Sequence, residues 1–189
     1  KRDKTELTFD LNSNAVTTLA NQLDSSLRAV ADKLRVYVIM YSNRMGNKGK
    51  NAFQEILDSD PILIRAEVYQ QDKQTKQMRK LTDMTQQKFL ELNEIDATYF
   101  DKKLNLIRPT PFADIFTHTV SVWNATIPNG PPLVGIGVLV IGQMPGAQED
   151  ITMAVVGYAR ADGFLKSVSD AKVAQLSVVG PNGYAIIHP

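Results

Sequence analysis

The chain has 189 residues, a formal charge of +1 and no cysteine. That length fits one domain, or a domain with an appendage, and lets roughly 70 % of the unfolded surface be buried. Disulfides and thiolate metal sites are excluded, and the mixture of acids and bases gives no electrostatic case for a nucleic-acid surface.

The start, Lys1-Arg2-Asp3-Lys4, leads into a polar segment and carries no signal-peptide pattern. It reads equally as the flank of a membrane helix or as a plain chain end. From Asn12 to Met45 there is neither proline nor glycine. Val16, Ala20, Leu23, Leu27, Val30, Leu34, Tyr37 and Tyr41 follow one another at alternating steps of four and three. This is an a/d heptad pattern, and it predicts one helix of about 50 Å, capped by Asn12 or Ser13 and ended at Gly46. Leu19, Val38 and Ile39 widen its apolar stripe, which predicts packing on the chain's own sheet and on a partner. Val16, Ala20, Leu23, Leu27, Val30 and Leu34 are the candidate seam of a parallel homodimer. A long core helix without a partner is the simpler reading of the same stripe.

"NAFQEILDSDP" predicts a short helix with Asn51 as cap and Pro61 as stop. "ILIRAEVYQ" alternates and predicts a strand, with "QDKQTKQ" as a polar loop and "MRKLTDM" as the returning arm. A helix is expected over about Gln86 to Leu106, with Phe89, Leu92, Ile95, Tyr99 and Phe100 on one face. "RPTPFADIF" reads as a loop opened by two prolines. Three strands follow in "HTVSVWNATI", "LVGIGVLVI" and "ITMAVVGYAR", parted by "PNGPP" and "GQMPGAQED". "ADGFLKSVSD" fits a short helix, and "AQLSVVGPNGYAIIHP" a closing hairpin. Short connections favour antiparallel pairing, since parallel strands need long crossovers.

Catalytic chemistry finds no footing. Neither a GxSxG nucleophile nor a phosphate loop is present, and "GIGVLVIG" reads as a tightly packed strand. His118 and His188 are the only histidines and lack zinc-ligand spacing. No catalytic residue, metal or cofactor is expected.

The order of elements resembles the Cache domain, the PAS-like extracytoplasmic sensor of bacterial transmembrane receptors. The stretches that carry the resemblance are "ILDSDPILIRAEVYQQDKQT", "ITMAVVGYARADGFLKSV" and the closing "AQLSVVGPNGYAIIHP". It implies an α+β fold in which a long N-terminal helix and a short helix (1–58) precede a PAS-like antiparallel sheet module (59–189). It also implies a fragment of a membrane-tethered receptor, lying outside the cytoplasm between two membrane helices. The longest apolar run here, Pro132 to Ile141, is too short to cross a bilayer. Such modules hold a small molecule between the sheet and the helical insert. Candidate lining groups are Tyr99, Arg108, Asp114, His118, Trp123, Tyr158 and Arg160, each with a structural alternative as core or solvated end. Trp123 lacks the neighbouring Arg and Tyr of the amine- and amino-acid-binding subfamily, which argues against an amino-acid ligand. A dimerising or protein-binding ectodomain with no small-molecule ligand, or a free-standing binding protein, remains open at this stage.

Overall fold

The computed structural model describes residues 4–43, 47–107, 109–143, 150–164, 178–179 and 185–187. Helix α1 (Lys4–Asn43) is followed by α2 (Asn47–Ser59), the hairpin β1 (Leu63–Gln71) and β2 (Met78–Thr85), and three helices α3 (Gln87–Leu92), α4 (Ala97–Ile107) and α5 (Phe112–Thr117). Then come β3 (Ser121–Asn124), β4 (Leu133–Gln143) and β5 (Asp150–Arg160), and a separate pair β6 (Val178–Val179) and β7 (Ala185–Ile187). The five main strands form one antiparallel sheet in the order β2-β1-β5-β4-β3. The fold is therefore α+β, a long N-terminal helix followed by a five-stranded antiparallel sheet.

Strand alternation divides the core in two. On one face Leu63, Ala66 and Val68 of β1 join Val134, Ile136 and Val138 of β4 and Val155 of β5 beneath α1 and α2. Val30, Ala31, Leu34, Tyr37 and Val38 of α1, with Phe53 and Leu57 of α2, complete that layer. On the other face Ile64, Tyr69, Val156 and Tyr158 meet Phe89 and Leu90 of α3, Phe100 and Leu104 of α4 and Ile115 of α5. Gln86 ties the junctions together: its buried Nε2 donates towards the carbonyls of Leu57 at 2.5 Å, Asp60 at 2.8 Å and Leu63 at 2.9 Å. Asp60 takes the N–H groups of Ile62 and Leu63 on one oxygen and Lys33 of α1 on the other. Residues 60–62 thus lead from α2 into β1 with the start of the strand pinned to α1.

Several expectations are corrected. Asn12 and Ser13 lie inside α1, which already runs at Lys4, and Asn51 lies inside α2. Val30 and Leu34 are buried against the chain's own sheet and are not free for a partner, while Leu23 and Leu27 are partly covered by the same core. Val16 and Ala20 of the candidate seam are exposed. The single helix expected over 86–106 is two. Glu94, at a φ of 54°, closes α3 with the N–H of Ile95 on the carbonyl of Leu90 and its own N–H on Glu91. This is a Schellman arrangement. Asp96 then caps α4, its carboxylate accepting the N–H of Tyr99 at 2.8 Å. The break leaves Leu92 72 % and Tyr99 40 % exposed, off the buried face. The "RPTPFADIF" segment contains α5, and β3 begins only at Ser121, so His118 caps a helix instead of opening a strand. Gly46, the turn at 180–184 and His188 lie outside the described residues.

Candidate functional site

Two rows of side chains cross the sheet on the face beneath α3, α4 and α5. The first runs through Trp123, Gly135, Tyr158, Arg65 and Thr85, which are register partners strand by strand. The second runs through Ser121, Gly137, Val156, Glu67 and Asp83. Gly135 and Gly137, two of the three glycines of β4, make room for large neighbours. A Cβ on Gly135 would stand 2.2 Å from the Trp123 ring, and one on Gly137 would stand 2.4 Å from Ile115. The first two glycines of "GIGVLVIG" therefore serve packing, while Gly142 faces open space.

The rows place a charged network inside the molecule. Glu67 is fully buried. Its Oε1 accepts from Arg65 Nε at 2.9 Å, Arg65 Nη2 at 2.7 Å and Lys80 Nζ at 3.1 Å. Its Oε2 accepts the hydroxyl of Tyr69 at 2.7 Å and that of Tyr158 at 3.4 Å. Arg65 also donates to Asp83 at 2.7 Å and to the Thr85 hydroxyl at 2.5 Å, and forms an ion pair with Asp101 of α4. Thr110, ahead of α5, adjoins both tyrosine hydroxyls. On the helix side Asp101 and Thr110 meet its polar groups and the Phe112 ring of α5 packs edge to face on Tyr69, so the insert is fastened to the sheet through it.

Its electrostatics follow from burial set against pairing. Burial disfavours the charged form of Arg65, yet Glu67, Asp101 and Asp83 outweigh it and hold the pKa above the ordinary value. Lys80 is raised in the same way, burial being outweighed by Glu67 and then Asp83. Burial opposes ionisation of Asp83, but Arg65 and Lys80 bring its pKa below the usual aspartate range. Both phenols lie well above their ordinary value, first through burial and then through the Glu67 carboxylate. Carboxylate oxygens of Glu67, Asp83 and Asp101 lie within 4.8 Å of one another. The cationic partners among them are Arg65 and Lys80, so this chain supplies its own counter-charge where a metal would sit.

The sequence-chosen residues are dispersed. Trp123 and Tyr158 do meet, edge to face at 6.4 Å between ring centres. Tyr99 stands on the outside of α4 beneath the ammonium of Lys103. Asp114 and His118 are exposed on α5, where the His118 ring contacts the Thr117 hydroxyl and the Asp114 carbonyl. Arg160 pairs with Asp162 beside a cleft of about 320 Å³ lined also by Phe89, Asn93 and Pro132. Arg108 lies outside the described residues. The sequence reading missed Arg65, Glu67, Tyr69, Lys80, Asp83 and Asp101. The signal was present in "RAEVY", whose polar positions share a face with a tyrosine, but alternation alone assigns that face to solvent.

Protein-family models and curated proteins were compared with the chain, and neither comparison gives a match.

Proposed function

We propose that this chain is the ligand-sensing, signal-transmitting part of a bacterial membrane receptor, working outside the cytoplasm. One observation carries the reading. Strand β1 holds Arg65, Glu67 and Tyr69 on its insert face, and Leu63, Ala66 and Val68 against the α1 layer on the other. A small molecule that rearranges the network under α4 and α5 would act on the strand that α1 packs upon. The ligand would bias two arrangements of sheet and helix, and α1 would carry the difference away. The division of the sheet between a long helix and a short-helix insert is what the resemblance to a Cache sensor leads one to expect. No described helix is long and apolar enough to cross a membrane, so the membrane helices of such a receptor would flank these residues. Sequencing the gene on both sides tests that part directly.

Trp123 is the sole tryptophan and adjoins Tyr158, so its emission reports on this face. A screen of small metabolites by thermal shift and tryptophan fluorescence should find a ligand that alters Trp123 emission. Its affinity should drop in Glu67→Gln. A ligand that binds without touching either property puts the site elsewhere.

A second reading, a dimerising ectodomain without a small-molecule ligand, is favoured by one fact: both Glu67 oxygens already have protein partners. Under either reading a parallel homodimer would use the exposed Val16 and Ala20. In the full-length protein, cysteines there should cross-link between copies and one at Thr18 should not. Equal cross-linking at all three sites would remove the seam.

A further inference from the structure

Between α1, α2 and residues 59–61 lies a groove of about 540 Å³, on the side of the sheet opposite to the Arg65 network. Its size is that of a small-molecule site, and such sites are mostly apolar with a few placed polar groups. Val36 and Met40 of α1, Ile56 of α2 and Pro61 supply the apolar lining. The charges around it cancel in pairs, Lys33 with Asp60 at 2.8 Å and Asp32 with Arg35.

Tyr37 adds an unspent polar group. The residue is 3 % exposed, its ring is fixed edge to face on Phe53, and it lines the groove. Among the described residues its hydroxyl makes no hydrogen bond. Asp60 stands near enough to disfavour ionisation of the phenol, yet its oxygens are taken by Lys33 and by the N–H groups of Ile62 and Leu63. A buried hydroxyl left unpaired is costly, and a ligand's acceptor atom would recover that cost. Lys33 stands four residues from Tyr37 and shares its face of α1. Its ammonium carries three donors, and among the described residues Asp60 takes one of them.

We propose that this groove binds an uncharged organic molecule with an apolar body and one carbonyl oxygen. The body lies on Val36, Met40, Ile56 and Pro61, and the carbonyl accepts the Tyr37 hydroxyl, with Lys33 as the donor for its second lone pair. An anion would meet the carboxylates of Asp32 and Asp60, a cation would meet the Lys33 ammonium, and neither finds an unpaired counter-charge. The inference stands apart from the sensor reading, since it concerns the α1 side of the sheet and requires no signal.

Acetophenone is the probe, with toluene as its carbonyl-free counterpart and sodium benzoate as its charged one. In NMR titrations of the whole chain, acetophenone should shift the amides of residues 33–40 and 56–60 saturably and leave those of 65–69 in place. Tyr37→Phe keeps the ring and should weaken acetophenone about ten-fold, the worth of one hydrogen bond, with toluene binding unchanged. Val36→Trp, at an exposed position, should fill the groove and abolish binding of both. Benzoate should bind no more tightly than toluene. Absence of saturable shifts at 33–40 and 56–60, equal acetophenone affinity in Tyr37→Phe, or tighter binding of benzoate overturns the inference. So does movement of the same amides with protein concentration alone, which would make a second copy of the chain the occupant.

Discussion

Leu34 of α1 and Gly157 of β5 lie so close that a Cβ on the glycine would stand 2.8 Å from a Leu34 methyl. The helix rests on bare backbone at that point, with Ala66 of β1 as the register neighbour of Gly157. Gly157→Ala should therefore lift α1 from the sheet and cost about 1–3 kcal/mol. Leu34→Ala alone should cost about 2–5 kcal/mol by leaving a cavity. In the double variant the losses should fall short of their sum, because the new methyl enters the space the leucine leaves. Urea unfolding of the four proteins measures the coupling, and strict additivity would show that the helix does not bear on this glycine.

Gln86 is the second point on which the layers depend. Its amide is directed at three carbonyls from the end of α2 and the start of β1. Gln86→Leu keeps the volume and removes the donors, so about 1–3 kcal/mol of stability should be lost to buried unpaired carbonyls. Gln86→Glu should be worse at neutral pH, where a carboxylate would face the same oxygens. Chemical unfolding distinguishes the pair.

Asp60 makes the stability fall in acid. Burial opposes its ionisation, but Lys33 and the N–H groups of Leu63 and Ile62 prevail, so its folded pKa lies below the ordinary 3.8. A lowered pKa means that its contribution is present above the unfolded value and lost as pH falls through the folded one. Melting temperature should drop below about pH 4, and Asp60→Asn, which keeps the acceptor for the N–H groups, should flatten that drop. Asp83 acts in the same direction, so flattening will be partial. Tyr37 governs the opposite end. Burial, with Asp60 nearby, raises its phenol from 10.0 to about 12. Stability is intact below pH 10 and declines as pH rises from 10 towards 12, because the unfolded chain ionises first. Tyr37→Phe should lessen this decline in melts between those two values.

Glu94 occupies a left-handed position that glycine adopts without strain. Glu94→Gly should stabilise the protein by about 0.5–1 kcal/mol, offset in part by the added freedom of the unfolded chain. Thermal melts check the sign, and a loss of stability would mean that the glutamate side chain does more than end α3.

How far the sequence led can be judged on particular residues. The hairpin of β1 and β2 was legible because alternation and a polar loop were both intact. The "PNGPP" turn was legible as well: Gly130 closes onto the Ile127 carbonyl, with Asn129 at a φ of 59°. The break between α3 and α4 was hidden because Glu94 stands where a glycine would have announced it, although Asp96 offered a cap signal. Of the heptad stripe, Val30, Leu34 and Tyr37 are buried while Val16 and Ala20 are exposed, and apolar residues at that spacing serve a sheet as well as a second helix. Only burial tells Val30 from Val16. The network on β1 was the hardest part. Arg65 and Glu67 are covered by α4 and the segment before α5, contributed by residues some 35 to 45 positions downstream. No local pattern records a cover that comes from so far along the chain.

The length of α1 has a mechanical meaning. Its 40 residues make a rod of about 60 Å, gripped by the sheet core between Leu23 and Val38. Lys4 lies about 30 Å from that grip, measured from Leu23. A pivot of about 5° at the sheet would swing the far end by about 3 Å, so shifts too small to open the core arrive at Lys4 as displacements the size of an atom. A helix held in this way would act as a pointer, its displacement largest at Lys4.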